Sequence, residues 1–143
     1  MRAQVILASA VLGFVSVVAP PVQAETKSYT ATLSAAEEVP EPGPEGASGT
    51  ARITVDMATD QLCYELTWSG MHDPEDGHIH KGPKGVAGPA LIHLDPAKNG
   101  PKACIPVEAP LLQDLVMDPT NHYVNLHTHD HQLGAVRGQL SPS

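Results

Sequence analysis

Eight histidines in a chain of 143 residues are the side chains best placed to do chemistry. The stretch Gly77-His78-Ile79-His80-Lys81-Gly82 carries two imidazoles separated by one apolar residue, and His127-Thr128-His129 repeats the arrangement with His131 just beyond. Side chains two apart on a strand project from the same face. Each pair therefore offers two neutral nitrogen ligands on one surface, and two pairs folded together would supply most of a coordination shell for copper or zinc. The affinity order of divalent ions favours copper(II) where copper is present.

The expected ligands are His78, His80 and His127, with His129, His131 and His93 as further candidates and His72 and His122 read as ordinary loop or strand histidines. Carboxylates commonly orient ligating imidazoles, which draws attention to Asp76, Asp95 and Asp130. Asn125 and Arg137 fall on the same side as His127 in the expected strands, where they would hydrogen-bond across the sheet or hold an anion beside the metal. Imidazole ligands predict binding that weakens below about pH 6. The competing reading is structural: the same imidazoles would hydrogen-bond a neighbouring loop onto the sheet.

Other chemistries find no support. The chain has no Gly-x-Ser-x-Gly, no His-Glu-x-x-His and no phosphate-binding loop, so hydrolase and kinase readings have no residues to rest on. Eight Lys and Arg against 16 Asp and Glu give a formal charge of −8. That balance argues against nucleic acid and anionic membrane surfaces as partners, and it favours cations.

The first 24 residues read as a leader: Arg2, an apolar run from Val5 to Ala19, and the small-residue site Val22-Gln23-Ala24 before Glu25. The apolar run is too short for a membrane span and no later segment approaches the required length, so residues 25–143 are expected to form one exported domain, periplasmic or secreted. In that setting Cys63 and Cys104, the two cysteines of the chain, read first as a disulfide. Thiolate metal ligation, the other reading, lacks the close spacing of a zinc ribbon.

The elements that must position the histidines are short strands. Lys27 to Ala36 alternates, with Tyr29, Ala31, Leu33 and Ala35 on one side, and Gly49 to Met57 alternates through Ala51, Ile53 and Val55. Leu62 to Trp68 follows so closely that the two runs form a hairpin. Gly77 to Lys81, Ala90 to Leu94, Ala103 to Val107, Tyr123 to His127 and Ala135 to Leu140 are further strands. Gly82 to Pro89 is a rigid glycine and proline loop, and Ala109 to Val116 is the one convincing helix, stopped by Asp118-Pro119. Strands at this spacing with turn residues between them predict an all-β fold, an antiparallel Greek-key sandwich or barrel, superoxide-dismutase-like or immunoglobulin-like, with one short helix.

Five segments in order carry a family likeness. They are Ser28-Tyr29-Thr30-Ala31-Thr32-Leu33-Ser34-Ala35-Ala36-Glu37-Glu38-Val39-Pro40, Gly77-His78-Ile79-His80, Gly88-Pro89, Tyr123-Val124-Asn125-Leu126-His127-Thr128 and Gly134-Ala135-Val136-Arg137-Gly138-Gln139-Leu140. Together they resemble the CHRD domain, named for chordin and found alone in exported bacterial proteins, across essentially the whole mature chain. The resemblance implies an extracytoplasmic domain of largely unassigned biochemistry, and it supports pairing Cys63 with Cys104. A weaker likeness is to copper-zinc superoxide dismutase, whose copper site uses a strand His-x-His and a late-strand histidine, as His78, His80 and His127 would here. The chain departs from that pattern in having no zinc-loop cluster and no long electrostatic loop with a catalytic arginine; His93 is placed where a bridging histidine would be sought. Three functions are therefore carried forward: a metal-binding domain for metal handling or a redox role, a metal-free adhesive module, and a dismutase-like enzyme.

Overall fold

The computed structural model describes residues 26–143, so the leader read at residues 1–24 lies outside the described residues. The strands are β1 (Thr26–Ser34), β2 (Ser48–Asp56), β3 (Gln61–Ser69), β4 (Asp76–Lys81), β5 (Ala90–His93), β6 (Lys102–Pro106), β7 (His122–Thr128), β8 (His131–Gln139) and β9 (Ser141–Pro142). A short helical turn, α1 (Pro96–Asn99), follows β5, and the helix α2 (Ala109–Met117) precedes β7. The expected helix is α2; α1 replaces an expected turn, because Pro96 has its φ preset for a first helical position.

All pairings are antiparallel, and the sheet order is β5-β4-β7-β8-β1-β2-β3-β6, with β9 against β1. Strand β3 pairs with β6 and β4 with β7, so the chain crosses between the two halves of the sheet from β3 to β4, from β5 to β6 and from β6 to β7. That is Greek-key connectivity, and the all-β expectation holds. The halves meet where Ser34 pairs with Arg137. Their apolar faces close on one core: Leu33, Ile53, Val55 and Leu62 come from one half, Ile79, Val124, Leu126 and Val136 from the other, all with no exposed surface. Leu112 and Leu115 of α2 join the same core. Each such side chain contributes about 1.5–3 kcal/mol on burial.

Alternation explains which residues reach that core. On β1, Tyr29, Ala31 and Leu33 are buried while their neighbours are more open, and β2 does the same through Ala51, Ile53 and Val55. Strand β7 breaks the pattern, being buried on both faces at nearly every position. Its outer face is roofed by the Gly82 to Pro89 loop, and the reach of that loop decides where polar side chains are enclosed. Cys63 and Cys104 stand opposite each other on β3 and β6 and form a disulfide, as expected.

Candidate metal centre

The β4–β7 register sets Asp76 opposite His127, His78 opposite Asn125 and His80 opposite Tyr123. Of the intervening residues, Ile79, Val124 and Leu126 point into the core and are buried, and Gly77 lies buried against Leu126. The opposite face therefore carries Asp76, His78, His80, Tyr123, Asn125 and His127 together, and β5 adds His93 across from His78. His78 and His127 are diagonal neighbours, within reach for rings of this size. Their Nδ1 and Nε2 atoms are 3.0 Å apart.

The ligating atoms of His78, His80 and His127 lie within 4.8 Å of one another. Each ring is held from its far side. His80 Nδ1 donates to the Gly88 carbonyl at 2.9 Å, and His127 Nδ1 donates to the Gln132 carbonyl at 2.8 Å. Carbonyl oxygens only accept, so the Nε2 atoms of both rings carry lone pairs. His80 Nε2 is buried with no hydrogen-bond partner. His78 Nε2 faces Asp76 Oδ2 at 3.1 Å.

His78 consequently has one proton for two acceptors, the Asp76 carboxylate on one side and the His127 Nε2 lone pair on the other. A second proton would satisfy both, but burial opposes it: desolvation, then the neighbouring histidines, push the His78 pKa down to about 4 against the pull of Asp76. Desolvation also lowers His80 and His127. A cation among the three lone pairs would satisfy them instead. An open cleft of about 210 Å³, lined in part by Asp76, His78 and His127, leads from solvent to this point.

The surroundings hold the rings in place. His80 stacks on Tyr123, centroids 4.7 Å apart and planes 9° from parallel, and the Arg137 guanidinium covers the other face of that phenol at 3.4 Å. Arg137 donates to the carbonyls of Val86 and Pro83, while Tyr123 Oη accepts from the Gly88 amide at 3.0 Å. The glycine and proline loop is thus fastened by the same residues that frame the histidines. Gly88 is required there, since a Cβ would collide with the Lys81 carbonyl. The structural role considered for His80 is met at its Nδ1, and its Nε2 is left over.

The remaining candidates are placed elsewhere. His129 is exposed and sits 3.6 Å from Glu75; His131 opens β8 and lines a separate cleft with His72 and Asp130, which pair at 3.1 Å. His93 belongs to a second grouping with Asp76 and His78. His122 is buried, with Nδ1 donating to the Asp118 carbonyl. Asn125 donates to Glu38 at 2.6 Å, and Arg137 reaches the histidines only through Tyr123. Asp95 takes a left-handed conformation ahead of α1.

Sequence reasoning missed Glu38 and Tyr123. Glu38 is 5% exposed, and burial pushes its pKa up to about 7 although Asn125 and Arg137 pull it back. Its carboxyl packs on Gly134, at φ 143°, where any side chain would strike it. A glycine two residues before the late Val136 was the available signal. Tyr123 stood in view at two residues from Asn125, but its partner could not be read before β4 and β7 were paired.

No helix among the described residues is long and apolar enough to cross a membrane. No curated protein and no solved structure matches the chain. The sequence model of the CHRD domain matches residues 29–140, from Tyr29 in β1 to Leu140 beyond β8, and the chain therefore belongs to the CHRD-domain family.

Proposed function

We propose that this CHRD-domain protein is exported and binds one transition-metal ion, copper in preference to zinc, through His78 Nδ1, His80 Nε2 and His127 Nε2, for metal handling or a redox role. The observation that carries the reading is the convergence of three ring nitrogens, His80 Nε2 buried without a hydrogen-bond partner and His78 Nδ1 and His127 Nε2 3.0 Å apart, with the single His78 proton contested between His127 and Asp76. Three imidazoles with an open position suit copper or zinc, and the affinity order favours copper(II). Asp76 would accept from His78 Nε2 and fix the ring for ligation. The disulfide is compatible with an oxidising compartment. Purified protein should take up close to one equivalent of copper, and a His78→Ala, His80→Ala variant should take up none. Equal uptake by the two proteins removes the reading.

A second reading, a metal-free adhesive module, draws on the bond from His80 Nδ1 to Gly88 O, which fastens the loop with or without a metal. It expects histidine variants to lose stability with no change in metal content. Dismutation has less behind it, because Arg137 is 2% exposed and its donors are committed to loop carbonyls and Gln139. A copper-loaded sample no more active than free copper disposes of it.

A further inference from the structure

Asp76, His78 and His93 also bring their ligating atoms within 4.8 Å of one another, with His93 on the β5 side of His78 and Asp76 across β4–β7 from His127. His93 stands directly across β5–β4 from His78, ring centroids 4.5 Å apart and planes at 83°. This group is the more open one: His93 is exposed and the Asp76 side chain is 45% exposed, whereas His80 and His127 are half-buried. His80 Nε2, by contrast, has no contact with solvent. An ion entering the cleft lined by Asp76, His78 and His127 meets the exposed Asp76 carboxylate before the enclosed His80 nitrogen.

The two groups share His78 through opposite nitrogens. In one tautomer His78 Nε2–H donates to Asp76 Oδ2 at 3.1 Å, and the Nδ1 lone pair points toward His127. In the other, Nδ1–H donates to His127 Nε2 at 3.0 Å, and the Nε2 lone pair points toward Asp76. The second arrangement occupies the His127 lone pair with a proton and closes the inner position. A neutral imidazole has one lone pair, so it serves one position at a time.

We propose, resting on the inner-site reading above, that Asp76, His78 and His93 form an outer seat for a divalent transition-metal ion, which passes from there to the inner seat, the two being mutually exclusive because they use opposite nitrogens of His78. The transfer balances. The His78 Nε2–metal bond breaks and an Nδ1–metal bond forms, Nδ1 gives up its proton and Nε2 acquires one held to Asp76, and no electron moves. The exposed carboxylate supplies the attraction that first draws the ion in, and three imidazoles then hold it more tightly than two imidazoles and one carboxylate hold copper(II).

The test uses copper(II) and asparagine variants of His80 and His127. An asparagine amide stands close to the position of Nδ1, so His80→Asn and His127→Asn keep the bonds to Gly88 and Gln132 and delete the inner Nε2 ligands. Calorimetry should find one equivalent in the wild type. The double variant should also bind one equivalent, at least tenfold more weakly, with an electron paramagnetic resonance signature of mixed nitrogen and oxygen donors. Adding His93→Gln should abolish that residual binding. Two equivalents in the wild type overturn the exclusivity. No binding by the double variant, with one equivalent still bound by the wild type, overturns the outer seat and leaves the inner reading standing; no binding by the wild type defeats the inner reading itself. Should the double variant not fold, the single His93→Gln variant decides. Its stopped-flow copper uptake should be at least fivefold slower with unchanged final stoichiometry, and an unchanged rate overturns the proposal.

Discussion

Replacing His80 by asparagine and, separately, by glutamine separates what its two nitrogens do. Both variants lose the stack on Tyr123, worth about 0.5–1.5 kcal/mol, so that loss cancels between them. Asparagine keeps a donor near Nδ1 for the Gly88 carbonyl 2.9 Å away and removes the buried, partnerless Nε2. Glutamine places its amide further out and abandons Gly88. A hydrogen bond of this kind contributes about 0.5–1.5 kcal/mol net, so metal-free His80→Gln should be about 1 kcal/mol less stable than His80→Asn, roughly 3–6 °C in Tm for a domain of this size. Copper binding should follow a different rule. Structural metal sites with four ligands gain roughly 10–16 kcal/mol, or about 2.5–4 per ligand, so either variant should lose inner-seat copper affinity by about two to three orders of magnitude. The assays are urea denaturation in the presence of chelator and calorimetric titration with copper(II). If His80→Asn binds copper as tightly as the wild type, or is as destabilised as His80→Gln, the assignment of the two nitrogens is wrong.

Other consequences concern charge and crosslinking. With Glu38 held protonated to about pH 7 in the folded chain but only to about pH 4.5 when unfolded, the native state binds the extra proton between those values. Stability should fall as pH rises through that window, by up to about 3 kcal/mol, and Glu38→Gln should remove the fall; thermal melts at pH 4.5 and 8 measure it. The histidines act in the opposite sense. His78, with its folded pKa near 4 against 6.5 unfolded, binds its proton more readily in the unfolded chain, so metal-free stability should decline as pH drops from 6.5 toward 4, by at most about 1.4 kcal/mol per pH unit for each such group. Melts of Glu38→Gln with and without His78→Ala would isolate this slope, and its absence would mean that the rings are not desolvated. The same burial should let copper binding persist below the pH 6 expected for exposed imidazoles, which titration at pH 5.5 tests. Cys63→Ala, Cys104→Ala should cost about 4 kcal/mol by chemical denaturation, the chain-entropy value for a crosslink across 41 residues.

Much of this protein was written in local pattern. Period-two alternation placed Ala51, Ile53 and Val55 inside and set His78 and His80 on one face with Ile79 anchored between them, because a pleated strand leaves no other choice. The glycines and prolines from Gly82 to Pro89 excluded regular structure there, and the cysteine pair pointed to a crosslink, since both follow from residue chemistry alone. What local pattern could not decide is which strands are neighbours. Strand β4 pairs with β7, more than forty residues away, and only that pairing brings His127 to His78 and Tyr123 to His80 while leaving His129 and His131 at the surface. Nor could sequence show Glu38 enclosed beneath Gly134, because its burial depends on a turn packing over a distant strand. Above all, the count of protons and acceptors around His78 belongs to the tertiary structure. Spacing placed His78 and His80 on one face, but Asp76 Oδ2, Gly88 O, Gln132 O and the roofing loop determine which nitrogens are left with open lone pairs. Ligand identity is a property of residue type; ligand readiness is set by what the other side of each ring touches.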